Sequence, residues 1–419
     1  MKYNNRLLII LFTLFFVSSM NAYPIDGFLK TGIKRLLRLE RIANGVIKDK
    51  PLVKGSMLPS DSIFLNLSAH NYKMFPEIDE RLQKEINRLF PNLDESYSIA
   101  IMNYSDPTNI QYAERQATRG FQPGSVGKLA VATGLFCELE DMYPDDFQKR
   151  IDLLKNKKVR AGYWAIPNIH TVPFFYPETN KLEKRLLVEN DVFSLYEWLD
   201  HMLSVSSNGA ASVVWREVML MDAFGDKYAD ITEQQAEEYF KVTSRKELSD
   251  QAVSVINTPL RGLGIEEDEF RVGTFFTRGG SNKIIPQGGS IGSPRGLMKW
   301  IWALEHGQII DRESSLELKK LMYMTDRRIR YSSNKKLDEC AVYFKSGSLY
   351  SCKPEPGYEC GKYKGNSKNF MNSVAIVETP DGHKYAVALM TNVLRKNSNA
   401  DHSALGGKIQ DLISSLYPK

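Results

Sequence analysis

Three short runs place nucleophilic and proton-carrying residue types at close spacing: Ser125-Val126-Gly127-Lys128, Ser206-Ser207-Asn208 and Lys345-Ser346-Gly347. Ser125 follows Pro123-Gly124 at the start of a helical run. Unpaired N–H groups and the positive dipole end at such a position favour a developing negative charge. Lys128, three residues on, shares that helix face. A lysine in a desolvated pocket has a lowered pKa and can take the proton of a serine hydroxyl. The apolar run Leu129–Phe136 predicts a buried helix, which sets Ser125 on an interior cleft. Taken alone, the same residues also fit a plain N-cap serine beside a surface lysine.

Ser206 and Asn208 fall in a tight turn between two expected helices. A hydroxyl there can relay a proton to a leaving nitrogen, and the amide can hold a substrate amide. Ser-Ser-Asn is equally good turn chemistry. Lys345 and Ser346 lie on the expected strand Tyr343–Leu349, offering a fixed cation and a hydroxyl suited to a carboxylate. Gly347 is expected to clear the strand edge for a ligand. The backbone N–H of Ser348 can then pair with that of Ser125 as an oxyanion hole. An edge lysine that discourages strand addition has the same composition.

The elements that must position these residues follow from periodicity. A helix is predicted over 76–91, with Ile78, Leu82, Ile86 and Leu89 on one face. Strands are predicted at Ser96–Asn103 and Ile110–Arg115, then a helix over 125–141 and an irregular hairpin within 159–188. Helices follow at Asp191–Met202, from Ala210, and over 231–256. Ser293-Pro294 is a strong helix start, with the helix running to His306 and stopping at Gly307. Three strands come last, at Ala341–Leu349, Asn372–Thr379 and Lys384–Asn392, the final pair joined by Pro380-Asp381-Gly382. A helix over 402–416 closes the chain. Strands at both ends around a helical middle predict an α+β fold with one antiparallel sheet and an inserted all-helical subdomain.

The ends and the composition bound the rest. Lys2, Arg6 and the apolar run Leu7–Val17, followed by small residues to Ala22, predict a secretory signal over 1–22, with an uncleaved anchor as the alternative. The run is shorter than the ~20 residues a membrane span needs. The expected location is secreted or periplasmic, and export permits disulfides. Of the four cysteines, Cys352 and Cys360 bracket a turn suited to a staple, while Cys137 is expected to be a buried thiol. Residues 23–75 form a basic extension whose segment 29–47 either docks as a helix or touches an anionic membrane surface weakly. Six scattered histidines and no C-x-x-C spacing disfavour a metal site, and no cofactor motif occurs. A net charge of +5 on 55 basic and 50 acidic residues is too mild for a nucleic-acid partner. Gly288-Gly289-Ser290-Ile291-Gly292 has the spacing of a nucleophile elbow, but Pro286-Gln287 interrupts the strand that motif needs.

The ordered trio resembles the Ser-x-x-Lys, Ser-Asp-Asn and Lys-Thr/Ser-Gly set of the penicillin-recognising serine enzymes, above all the class A β-lactamases. The surroundings Met202–Ala211 and Ser293-Pro294-Arg295 are similar to that family as well. The resemblance covers 76–419 and implies a five-stranded antiparallel sheet flanked by helices. Residues 76–118 and 280–419 would supply the sheet part, and 119–279 the mostly helical part. It implies Ser125 as the acylated nucleophile, Lys128 as its base and Ser206 as proton shuttle. Asn208 would contact the substrate amide, and Lys345 and Ser346 its carboxylate. The implied substrate is a β-lactam or a peptidoglycan stem peptide, and the chain is expected to act as a monomer. Two departures stand out. Ser207 replaces the usual Asp of the second motif. In the best match to the family's Arg-x-Glu-x-x-x-Asn loop, Arg271 fits, but Gly273 stands at the Glu and Thr277 at the Asn. Glu266, Glu267 and Glu269 precede Arg271 and would need another loop path. A D,D-carboxypeptidase or transpeptidase, and a catalytically silent peptide-binding protein, remain as alternatives.

Overall fold

The computed structural model describes residues 26–49, 53–56, 58–70, 74–326 and 328–418, so the expected signal over 1–22 lies outside the described residues. The first half contributes α1 (Lys34–Ala43), α2 (Glu80–Asn87), β1 (Ser98–Asn103), β2 (Gln111–Arg115), α3 (Lys128–Met142) and α4 (Phe147–Asn156). The middle contributes the hairpin β3 (Val172–Tyr176) and β4 (Lys181–Arg185), then α5 (Leu195–Leu203), α6 (Asn208–Phe224), α7 (Glu233–Val242) and α8 (Arg245–Gly262). Last come α9 (Pro294–His306), α10 (Arg312–Tyr323), β5 (Ala341–Ser351), β6 (Lys368–Glu378), β7 (Lys384–Asn392) and α11 (Asn399–Leu416). Shorter turns of helix and strand connect them.

The long strands form a five-stranded antiparallel sheet in the order β2-β1-β7-β6-β5. Both of its faces are buried, which the alternation of side chains makes explicit. On β1, Ala100 and Met102 join the larger core against the helical half, while Ile99 and Ile101 join the second core. On β5, Ala341 and Tyr343 face the helical half and Val342 and Phe344 face away. The period of two therefore turns Lys345 toward the helical half, in line with Tyr343. The far face is covered by α2 and α11, through Leu82, Ile86, Leu405, Ile409 and Ile413.

α3 is the axis of the helical half. Leu129 to Phe136 are all buried, so this part of the helix has no solvent face to be read as amphipathic. Each fully buried Leu, Val or Phe there contributes roughly 1.5–3 kcal/mol. Gly134 lets α8 approach closely, since a Cβ would fall 2.6 Å from the Val255 carbonyl oxygen. The expected helix start at Ser293 is present: its side chain accepts from the Gly296 N–H, Pro294 opens α9, and Gly307 ends it at φ 71°.

Some expectations change in detail. The polar stretch 231–256 is two helices, each opened by a capping box, at Thr232 and at Ser244. α4 and α10 have no counterpart in the sequence reading. In α10 the polar Ser314, Ser315, Glu317 and Lys319 point inward with Leu318, which hides the apolar period. Cys352 and Cys360 form the expected disulfide. Cys137 is a free thiol but only half-buried, and Cys340 is the buried one.

The basic extension docks as a helix. Ile33 and Leu36 enter the main core. Arg35 makes a bidentate ion pair with Asp200 of α5, at 2.6 and 2.5 Å, and also donates to the Met324 carbonyl. Arg41 donates to Pro177 and Asn180 in the β3–β4 turn. The extension thus braces α5, the helix that leads into the Ser206 turn.

Candidate active site

Ser125 sits in a 3-10 turn, Gly124–Gly127, which runs directly into α3. Lys128 opens α3 and is fully buried. Its ammonium nitrogen lies 2.9 Å from Ser125 Oγ. It also reaches the Ser206 carbonyl at 2.6 Å, Ser206 Oγ at 3.4 Å and Asn208 Oδ1 at 2.8 Å. None of these partners is a carboxylate. Burial, helped by the nearby charge of Lys345, holds the Lys128 pKa well below the ordinary lysine value. A neutral amine there is a base aimed at the serine hydroxyl.

The turn between α5 and α6 brings the second motif in. Ser206 has φ 62°, an uncommon backbone for a non-glycine residue. Strained backbone of this kind is held in place by its surroundings and clusters at functional sites. Ser207 is not aimed at the site: it is the N-cap of α6, accepting from the Ala210 N–H at 3.2 Å. Asn208, the first residue of α6, keeps its amide nitrogen available beside the cleft while its oxygen accepts from Lys128.

Lys345 Nζ donates to Ser206 Oγ at 2.8 Å and to the Ser346 carbonyl at 2.9 Å. Ser125, Lys128, Ser206 and Lys345 are therefore linked by hydrogen bonds drawn from three separate parts of the chain. Burial, and then the charge of Arg330, pull the Lys345 pKa down to about 7. Gly347 has a different reason from the one expected. A Cβ there would overlap the Pro123 carbonyl oxygen and lie 3.1 Å from the Ser125 nitrogen, so the space it frees is filled by the turn that carries Ser125. Ser346 and Ser348 line the cleft with Ser125, and Gly124 packs against the backbone nitrogen of Ser348.

Sequence reasoning missed Arg330. It precedes β5 in a 3-10 turn, has φ 55° and is buried. It donates to the carbonyls of Gly347 and of Asn372, the latter at 3.2 Å. Burial lowers its pKa to about 10, so it stays charged at neutral pH and adds a second cation beside Lys345. A single arginine before a strand carries no pattern that would have singled it out.

The loop 272–277 also differs from expectation. Gly273 lines neither cavity beside Ser125, and a Cβ there would lie 2.6 and 2.9 Å from the carbonyl oxygens of Gln287 and Gly288. The residue of this loop beside Lys128 is Phe276, whose ring centroid is 5.1 Å from Nζ. Thr277 instead bonds the Trp164 carbonyl and Ser212. Glu267 and Glu269 pair with Arg271 and Lys299, and none of Glu266, Glu267 and Glu269 lines the cleft. Ser290 lies in the loop before a two-residue strand and accepts from the Gly273 N–H, so the elbow spacing has no elbow.

Comparison with known proteins bears on the family and the fold. No curated protein matches the chain. Among solved structures, a class A β-lactamase from Bacteroides cellulosilyticus DSM 14838 is 14% identical, with a TM-score of 0.52, covering 81% of this chain and 100% of that one. The TLA-3 extended-spectrum β-lactamase is 13% identical at a TM-score of 0.52, covering 80% and 98%. PBP-A is 12% identical at a TM-score of 0.50, covering 81% and 100%. At such identities the likeness is one of fold. The family model described as the Beta-lactamase enzyme family matches residues 81–415, a span that contains all three motifs and the whole five-stranded sheet, and the chain belongs to that family.

Proposed function

We propose that this chain is an exported serine acyl-transfer enzyme, acylated on Ser125 by β-lactams or by peptides of the D-Ala-D-Ala type. The observation that carries this reading is the 2.9 Å contact between Ser125 Oγ and a buried Lys128 that has no carboxylate partner among the described residues. In the proposed reaction neutral Lys128 takes the hydroxyl proton as Ser125 attacks the carbonyl carbon. The backbone N–H groups of Ser125 and Ser348 receive the developing oxyanion. Ser206, bonded to both lysines, passes a proton to the leaving nitrogen. Lys345, Ser346 and Arg330 hold the substrate carboxylate, and Asn208 holds the acyl amide.

A second reading concerns the fate of the acyl-enzyme. Among the described residues, no Asp or Glu lines either cavity beside Ser125, and Phe276 covers Lys128. Without a carboxylate to activate water, deacylation is slow, which favours a D,D-carboxypeptidase- or transpeptidase-like role over a fast β-lactamase. The Cys352–Cys360 disulfide supports an oxidising compartment, in keeping with export.

The test is intact-mass analysis after incubation with benzylpenicillin. The expected result is one penicilloyl adduct that is absent in Ser125→Ala and persists for many minutes. A wild type that acquires no adduct overturns acylation and leaves the silent binding protein. Steady turnover at ~10–10³ s⁻¹, the ordinary enzyme range, overturns slow deacylation.

A further inference from the structure

Two cavities flank Ser125. The inner one, about 190 Å³, contains Ser206, Arg330, Lys345 and Ser346. The outer one, about 400 Å³, contains Asn208, Phe275, Phe276, Leu349 and Tyr350. By the roles proposed above, the inner cavity takes the terminal carboxylate and the outer one takes the acyl side chain. Lys362 and Tyr363 line both cavities, as do Ile169 and His170.

Lys362 is carried by the β5–β6 connection, and that arm is tied down at several points. Cys352–Cys360 closes its base. The Asn366 side chain clamps Lys353 through two bonds, of 2.8 and 2.9 Å. Glu355 is held by Arg395 at 2.7 Å and by Asn366 at 2.8 Å. The Tyr363 ring lies under the Arg330 guanidinium at 5.6 Å and edge-on to Tyr350 at 5.8 Å. The Lys362 ammonium is 5.3 Å from the Tyr363 ring centroid. Of the arm's two carboxylates, Glu355 is already paired and Glu359 lines neither cavity. An exposed cation on a braced arm thus overlooks a cavity wall that contains no acidic side chain among the described residues, and low-dielectric walls of one sign attract the opposite charge.

We propose that Lys362 is a second anion-recognition point, so that the site favours acyl donors with a negative charge on the acyl side chain as well as the terminal carboxylate. This rests on the reading of Ser125 as the acylated nucleophile. It assigns a substrate class, a dianionic acyl donor, and a residue that selects it without touching the reacting atoms.

Three penicillins that differ at one carbon test it: benzylpenicillin, its α-carboxy analogue and its α-amino analogue. Their second-order rates of Ser125 acylation are measured by intact mass at low ionic strength, in wild type, Lys362→Gln and Lys362→Arg. The expected result is that the carboxy-to-amino rate ratio falls roughly three- to ten-fold in Lys362→Gln, the scale of an exposed ion pair read with opposite charges. Lys362→Arg retains the wild-type ratio, and added salt reduces it in both. Acylation by all three compounds with the same ratio in wild type and Lys362→Gln overturns the inference and leaves the Ser125 reading intact. No acylation by any of the three overturns the Ser125 reading, and this inference falls with it.

Discussion

Lys128 and Lys319 are both fully buried, yet they sit in opposite electrical surroundings. Lys319, on α10, lies 2.7 Å from Glu305 and 2.8 Å from Glu378 and also donates to the Phe64 carbonyl. Tyr104 and Tyr343 complete that network by donating to the same two glutamates. Burial works to lower the Lys319 pKa, but the two carboxylates outweigh it and hold it above the ordinary value. Lys128 faces hydroxyl, carbonyl and amide oxygens, and its pKa is pushed down. Burial pushes both lysines downward, and only at Lys319 do counter-charges reverse it. One lysine is a permanent cation that ties the sheet to the segment before it, and the other has no counter-charge to hold its proton among the partners described above.

The comparison can be broken most directly by exchanging each lysine for methionine. Lys128→Met is expected to slow acylation by ~10²–10⁴-fold, the usual range for a lost general base, with the fold retained by circular dichroism. Lys319→Met leaves two buried carboxylates without their cation and is expected to cost about 3–5 kcal/mol of stability in urea unfolding. The folded fraction of that variant should still be acylated at close to the wild-type rate. A folded Lys319→Met that fails to acylate would show that the two regions are not separable.

A pH series sharpens the contrast. Lys345, at about 7, binds its proton less tightly in the folded state than in the unfolded chain. Stability of the wild type relative to Lys345→Met should therefore rise between about pH 7 and 10.5, by up to about 1.4 kcal/mol per pH unit. Lys319 has the opposite sign. Its contribution is complete below its unfolded value and is lost only above it, so the wild type relative to Lys319→Met should stay level over the same window. Acylation kcat/KM should fall as the pH passes about 7, where Lys345 gives up the charge proposed to hold the substrate carboxylate. The smallest effect expected is at Phe276. Phe276→Ala opens Lys128 to water, and the half-life of the penicilloyl adduct should shorten by less than about ten-fold, a barrier change of under about 1.4 kcal/mol.

Much of the sheet was legible because its strands end at turns with strong local chemistry. The Pro380-Asp381-Gly382 turn and the Ser293-Pro294 start are fixed by residues whose backbone preferences need no tertiary help. Ser125, Lys128, Ser206, Asn208 and Lys345 were legible as ordered motifs, and the structure brings them into one cleft. Arg330, Phe276 and Lys362 were not, because each reaches the site from a loop whose path depends on distant contacts. Gly273 was matched to the family's glutamate from its distance to Arg271 alone, yet the path of the loop brings Phe276, three residues on, to the lysine. α10 was hidden for another reason: its inward face is partly ionic, and a hydrophobic period cannot register a buried lysine.

The pairing of β1 with β7 also sets the order of events during synthesis. Ala100 lies opposite Ala388 at the centre of the sheet. A growing chain that has released Ser125 and Lys128 still lacks Lys345 and every strand that would hold it. Only when the segment up to Asn392 has emerged can the middle of the sheet close. Contacts so distant along the chain form slowly, since the loop between them must be closed first. The nascent chain therefore presents Ser125 without its surroundings, and the acylation proposed above should become possible late and all at once, when the last strand inserts between β1 and β6.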